Sequence, residues 1–225
     1  MMIQPTNTEW DLPAGDPVPA QFFARPSDVV APDLVGKILW RVGVGGGRLT
    51  EVEAYLPVDD PACHASRGPT RRNQAMFGPP GSLYLYLSYG VHVLLNLVCD
   101  RESLGSAVLV RSFEPLGDTS RLRFNREGTG SRPRAEQQRP AMGWLSCGPG
   151  RVGQALGLGL DLNGLFLGQD SGLYVIDDGW TSPLAVGTRV GITKGDTLPL
   201  RFFAADSVFV TRRRQSRGGL EVSRG

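Results

Sequence analysis

Residues 82–113 read SLYLYLSYGVHVLLNLVCDRESLGSAVLVRSF, and the fold is decided here. Ser82 to Ser88 alternates Leu with Tyr or Ser, the period of two that gives a strand two unlike faces. Val91 to Val98 continues as a mostly apolar strand and Ala107 to Phe113 as a third, so the three read as a meander. The first reversal falls at Tyr89-Gly90. A two-residue loop there puts Tyr86 on the face of Val93 and Leu95, whereas a three-residue loop shifts the register by one and puts it with His92, Leu94 and Asn96. The sequence is compatible with both. Asn or Asp suits a purely structural turn better than Tyr, so a bulky Tyr89 at the tip suggests insertion into something.

Upstream of the meander, Lys37 to Val42 and Arg48 to Tyr55 read as a hairpin around the Gly43 to Gly47 turn. The strand period places Leu49, Glu51, Glu53 and Tyr55 on one face. If that face points inward, desolvation and mutual repulsion raise one carboxyl pKa, as a general base working near neutrality requires. Charges are seldom fully buried, so this fragment taken alone favours a solvated edge strand with both glutamates outward. Arg111 interrupts the apolar run of the third meander strand. It reads either as a salt-bridge partner on the strand face or as a ligand for a backbone phosphate.

Between the hairpin and the meander, Pro57 to Gly81 is a long aperiodic segment in which Met76 and Phe77 are apolar anchors and Arg67, Arg71 and Arg72 make the charge locally basic. Ser27 reads as the cap of a short helix through Leu34 that Pro32 interrupts or restarts. Gly117 to Met142 reads as a short helix followed by a mobile loop, and Gly148-Pro149-Gly150 opens a helix to about Leu156. Further short strands are expected at Leu173 to Ile176, Thr188 to Ile192 and Leu200 to Phe203. The expectation is an α+β protein: a single mixed domain over residues 21–210, with a curved, mainly antiparallel β-sheet and peripheral helices. Residues 1–20 read as a poorly ordered leader and 211–225 as a basic tail.

Composition narrows the function classes. Of 225 residues 40% are hydrophobic and 20% charged, which excludes wholesale disorder. No apolar run approaches the roughly 20 residues of a membrane span, and the N-terminus has no signal-peptide pattern, so a cytoplasmic protein without membrane contact is expected, nucleoid-associated if bacterial. Cys63, Cys99 and Cys147 are too scattered for a disulfide framework. His64 adjoins Cys63, but no ligand spacing supports a metal, and no cofactor is expected. Residues 1–33 carry one Arg against five acids, a net −4, so the total of +2 leaves +6 on the remainder, a surface that permits nucleic acid.

EVEAY (51–55), DDPACHASRG (59–68), TRRNQAMFGPPGSLYLYLSYG (70–90) and SAVLVRSFEP (106–115) closely resemble the alkyladenine, or 3-methyladenine, DNA glycosylase family. SCGPGRVGQALGL (146–158) and TRVGITKGDTLPLRFF (188–203) resemble it in the same order, giving coverage from about Asp33 to Phe203. The resemblance implies a monofunctional enzyme that flips alkylated or deaminated purines from duplex DNA and hydrolyses the N-glycosidic bond, leaving an abasic site. It implies Glu53 as the carboxylate that activates water, and Tyr55, His64 and Tyr86 around the flipped base. It further implies Tyr89 as the residue that fills the gap in the duplex, Asn96 as a pocket residue against undamaged guanine, and Arg111 near the nucleotide's phosphate. The departures from the pattern are Ser146-Cys147, which invert the usual order, Pro32, which enters a segment that is usually plain helix, and the Gly117 to Met142 loop. The competing readings are a non-catalytic damaged-DNA binder, which would not release free base, and a nucleoside hydrolase, which would not need duplex. A monomer suffices for each.

Overall fold

The computed structural model describes residues 12–128 and 143–211 and the backbone of Glu221–Val222. In chain order the strands are β1 (Asp16–Pro17), β2 (Ile38–Arg41), β3 (Gly45–Tyr55), β4 (Leu83–Ser88), β5 (His92–Cys99), β6 (Ser106–Leu116), β7 (Leu173–Asp177), β8 (Leu184–Gly187), β9 (Arg201–Ala204) and β10 (Glu221–Val222). The helices are α1 (Ala20–Phe23), α2 (Ser27–Leu34), α3 (Ser120–Glu127), α4 (Gly143–Ser146) and α5 (Pro149–Ala155). All strands pair antiparallel in one sheet, ordered β1-β7-β2-β3-β6-β5-β4, with β9 also on β3, β8 on β9 and β10 on β8. The protein is thus an α+β domain on a curled antiparallel sheet, as the sequence predicts. Among the described residues no helix is long and apolar enough to cross a membrane.

The meander forms because its alternation lets one face be apolar. Leu83, Leu85, Leu95, Leu97, Val108 and Val110 enter the main core with Leu34 and Val152 from the covering helices. Ser88 pairs with His92, so the β4–β5 loop holds three residues, Tyr89 to Val91, and Tyr86 shares its face with His92, Leu94 and Asn96. Helix α5 can approach β5 closely because of Gly153: a Cβ there would lie 2.0 Å from the Val93 carbonyl oxygen. Packing therefore accounts for the glycines after Pro149.

Four expectations are revised. Gly46 and Gly47 belong to β3 and not to the turn before it, because at each the neighbouring backbone passes where a Cβ would stand, 2.0 Å from the oxygens of Leu39 and Glu114. Pro32 does not interrupt α2, which runs through it. Ser27 does not cap that helix; its Oγ donates to the Tyr55 carbonyl at 2.9 Å. Thr188 to Ile192 is no strand, since the pairing partner of β9 is Leu184–Gly187. Most of the segment expected to form a mobile loop after α3, residues 129–142, lies outside the described residues, as do residues 1–11 of the leader and nearly all of the basic tail.

Candidate active site

The strand period alone would put Leu49 on the face of Glu51. In the structure the pairing of β3 with β6 shifts at Leu49/Glu51 and again at Glu51/Val52, leaving Thr50 and then Arg111 as the extra residues of a double irregularity. Leu49 accordingly packs in the main core with Val52 and Ala54, and Glu51 and Glu53 take the other side. Both carboxylates are fully buried, so the solvated-edge reading of this strand does not hold. Register then aligns four residues across the sheet: Glu53 opposite Leu109, Leu109 opposite Asn96, and Asn96 opposite Tyr84. Residues directly opposed across antiparallel strands share a face. A catalytic carboxylate candidate and an aromatic cluster thus stand on one surface of four adjoining strands.

The two glutamates differ in their partners. Glu51 accepts from Arg111 Nε at 2.8 Å, Arg201 Nε at 2.7 Å, the Thr211 N–H at 2.6 Å and the Thr211 hydroxyl, so it is saturated. Glu53 Oε1 accepts the Val190 N–H at 2.7 Å and faces Arg111 Nη1 at 3.2 Å. Its Oε2 accepts only the Tyr55 hydroxyl, at 3.1 Å, among the described residues. A carboxylate oxygen has two lone pairs, so this one retains capacity for a further donor. Burial pushes the Glu53 carboxyl above its ordinary value, and neither Arg111 nor the Val190 N–H cancels that effect. Arg111 is buried across both glutamates; their charges outweigh its desolvation and raise its pKa.

Aromatic rings form the wall beside this carboxylate. Tyr84 and Tyr86 lie 5.5 Å apart at 30°, and His64 meets Tyr86 edge-on at 4.6 Å. His64 Nδ1 is hydrogen-bonded to the Tyr84 hydroxyl at 2.8 Å, while burial and Arg72 lower the imidazole pKa and favour its neutral form. Burial, reinforced by Glu53, pushes the Tyr86 phenol up to about 12 and the Tyr55 phenol well above its usual value. Asn96 Nδ2 donates to the Tyr84 carbonyl at 3.0 Å. The loop bearing His64 is held by Asn73, whose Nδ2 donates to His64 O and Gly68 O, and by Met76 packed beneath it. Arg72 donates to Leu87 O at 3.1 Å, joining that basic loop to the hairpin.

Tyr89 stands apart at the hairpin tip. It is 93% exposed, adopts φ 52°, and has Val91 and Leu87 exposed beside it. Sequence reasoning missed Val190, Thr211, Arg201 and the Asp60–Arg189 ion pair, which joins fully buried side chains at 2.6 Å. The one available signal was that Asp60, Arg189, Val190 and Arg201 lie inside the family-like strings. Thr211 carried none. Among the described residues, no three His, Cys, Asp or Glu side chains converge as a metal-binding group.

A family model described as methylpurine-DNA glycosylase (MPG) matches residues 21–208. A protein of Rhizobium meliloti (strain 1021) is 46% identical over 192 residues, covering 85% of this chain and 95% of its own. One from Burkholderia lata is 40% identical over 200 residues (88% and 92%), and one from Rubrobacter xylanophilus 42% over 193 (84% and 94%). All three carry 3-methyladenine DNA glycosylase as a provisional name.

Proposed function

The chain belongs to the methylpurine-DNA glycosylase family, and from that premise we propose that it is a monofunctional 3-methyladenine DNA glycosylase that flips damaged purines, alkylated and deaminated, out of duplex DNA. The observation that carries the reading is Glu53: fully buried, gripped at Oε1, with open hydrogen-bonding capacity at Oε2 beside an aromatic cluster. Val190 and Arg111 fix the carboxylate without consuming the oxygen that would face a water. An N-alkylated purine is cationic, and the faces of Tyr55 and Tyr86 with the neutral edge of His64 attract such a ring at about 0.5–2 kcal/mol per contact. As the N-glycosidic bond of an alkylated purine breaks, its electron pair neutralises the departing base and cationic character develops at the sugar C1′; a deaminated purine, being neutral, leaves with the electron pair as an anion and takes its proton from solvent. The Glu53 carboxylate stabilises that charge and orients the water. The water oxygen bonds to C1′ and its proton passes to Glu53. No lysine lies among these residues to form a Schiff base, so hydrolysis ends at the abasic site.

Tyr89, exposed on a three-residue loop, has the size and position to occupy the space that a flipped nucleotide leaves. Asn96 lies in register with Tyr84 on the pocket face, where it screens purines by their exocyclic groups. Arg111, engaged by Glu51 and Glu53, holds the Glu53 carboxylate in place beside the sugar end of the flipped nucleotide. The test is release of free base from duplexes each carrying one lesion, 3-methyladenine, 7-methylguanine or hypoxanthine, by wild type and Glu53→Gln. The reading expects release by wild type and its loss in the variant. Tight damaged-DNA binding without any free base would overturn it in favour of a binding protein, and equal activity on free nucleosides would overturn the duplex requirement.

A further inference from the structure

We infer that Asp60 and Arg189 are a positioning pair for this reaction, a buried clamp that sets the Tyr55 ring and the Val190 N–H against Glu53; the inference rests on the role proposed for Glu53. The guanidinium is bidentate on the carboxylate, Nη1 to Oδ2 and Nη2 to Oδ1, both 2.6 Å. Nη1 also donates to the Ala54 carbonyl at 3.0 Å and Nη2 to that of Gly195 at 3.3 Å. Asp60 in turn accepts the N–H groups of Leu56 and Ala62, each at 3.1 Å. Three segments are therefore tied at one point: the end of β3, the loop after it, and the turn before β9.

The clamp adjoins the site along the chain at two points. Ala54 lies between Glu53 and Tyr55, and Val190, which donates to Glu53, follows Arg189 directly. Arg189 Cζ lies 4.6 Å from the Tyr55 ring centroid, so the guanidinium occupies one face of that ring and a base can stack only on the other. Stability alone does not account for such a pair, since buried ion pairs are often no better than apolar residues of similar volume. Its geometry serves the orientation of a ring and of a hydrogen-bond donor.

The groups facing Glu53 are Glu51 and Tyr55 on its own strand, Arg111 from β6, Tyr86 from β4, Arg201 on Glu51 from β9, and Arg189. Removing Arg189 and Asp60 together leaves their opposite charges to cancel at Glu53, so the upward movement of its titration comes from misplacing the Val190 N–H, which favours the ionised carboxylate. The experiment is the double variant Asp60→Asn with Arg189→Gln, which removes both charges and keeps hydrogen-bonding groups, measured as single-turnover release of 7-methylguanine at saturating enzyme against pH. The expected result is an acidic limb displaced upward by about one pH unit and a rate at pH 7 reduced about tenfold, with duplex Kd changed less than about twofold. Should the double variant not fold, Arg189→Lys, which keeps the charge and loses the fork, is expected to lower the rate by a similar factor. A folded variant that melts lower yet keeps the wild-type rate and acidic limb would overturn the inference and leave the pair structural. A Glu53→Gln protein with the wild-type rate would instead overturn the role of Glu53, so the two failures differ in signature.

Discussion

At the end of β3, two glutamates and the Arg111 guanidinium between them are buried, whereas at the tip of the β4–β5 hairpin Tyr89 stands 93% exposed with Val91 and Leu87 beside it. Each region inverts the usual placement of charged and apolar side chains. The first inversion is compensated from within: Glu51 receives donors from Arg111, Arg201 and Thr211, and Glu53 from Val190, Tyr55 and Arg111. The second has no compensation among the described residues, where Tyr89 meets solvent. Where a fold departs from local rules and supplies the partners, the residues are fixed in place; where it supplies none, the partner must come from outside. The same contrast recurs inside the buried region, since Glu51 is saturated and Glu53 is not.

The sharpest way to break the contrast is Glu53→Gln, expected to reduce base release by roughly 10²–10⁴-fold in single turnover. Its stability should move the other way. The folded carboxyl titrates above its unfolded value, so wild type is most stable with Glu53 protonated and loses that stability as pH rises from the unfolded value through the folded one. The variant should therefore melt no lower than wild type at pH 7, with the difference closing in acid; a marked drop in Tm at pH 7 would erase the distinction between the two glutamates.

Glu51→Gln tests the saturated partner. It strands Arg111 and Arg201 without their shared carboxylate, and denaturant titration should show a loss of about 3–5 kcal/mol. Tyr89→Ala should leave stability within about 0.5 kcal/mol, because the side chain touches little, yet slow release from duplex about tenfold. A comparable loss of stability there would show that the tip supports the fold. The smallest effect is in the wild-type pH profile: release should climb with pH through a value above the ordinary carboxylate range, as Glu53 must be ionised to act. A limb at the ordinary carboxylate value would place the acting group outside the buried region.

Much of the architecture is visible in the chain. The Leu/Tyr alternation of 83–88 marks both a core face and a tyrosine face, and the apolar runs of β5 and β6 complete the meander. Thr188 to Ile192 misleads because its β-branched residues fit a strand, whereas the segment is engaged elsewhere: the Val190 N–H donates to Glu53 and the Arg189 guanidinium bonds three other segments. Gly46 and Gly47 mislead in the opposite sense, since glycine signals a turn locally but here admits close backbone neighbours. In the site, the strings around Glu53, His64 and Tyr86 were recognisable, but Thr211 was not, its role depending on where the chain returns.

The sequence by itself determined the strand period, and with it the placing of Glu51, Glu53 and Tyr55 along a common side, the apolar faces of the meander and the family. These are properties of neighbouring residues. Only the tertiary structure decided that the glutamates are buried, that the β3–β6 irregularity turns Leu49 away from them, that the hairpin loop holds three residues, and which glutamate is left unsaturated. Those outcomes depend on partners brought from 60, 137 and 160 residues away, Arg111, Val190 and Thr211, and no local pattern encodes whether a carboxylate will meet them.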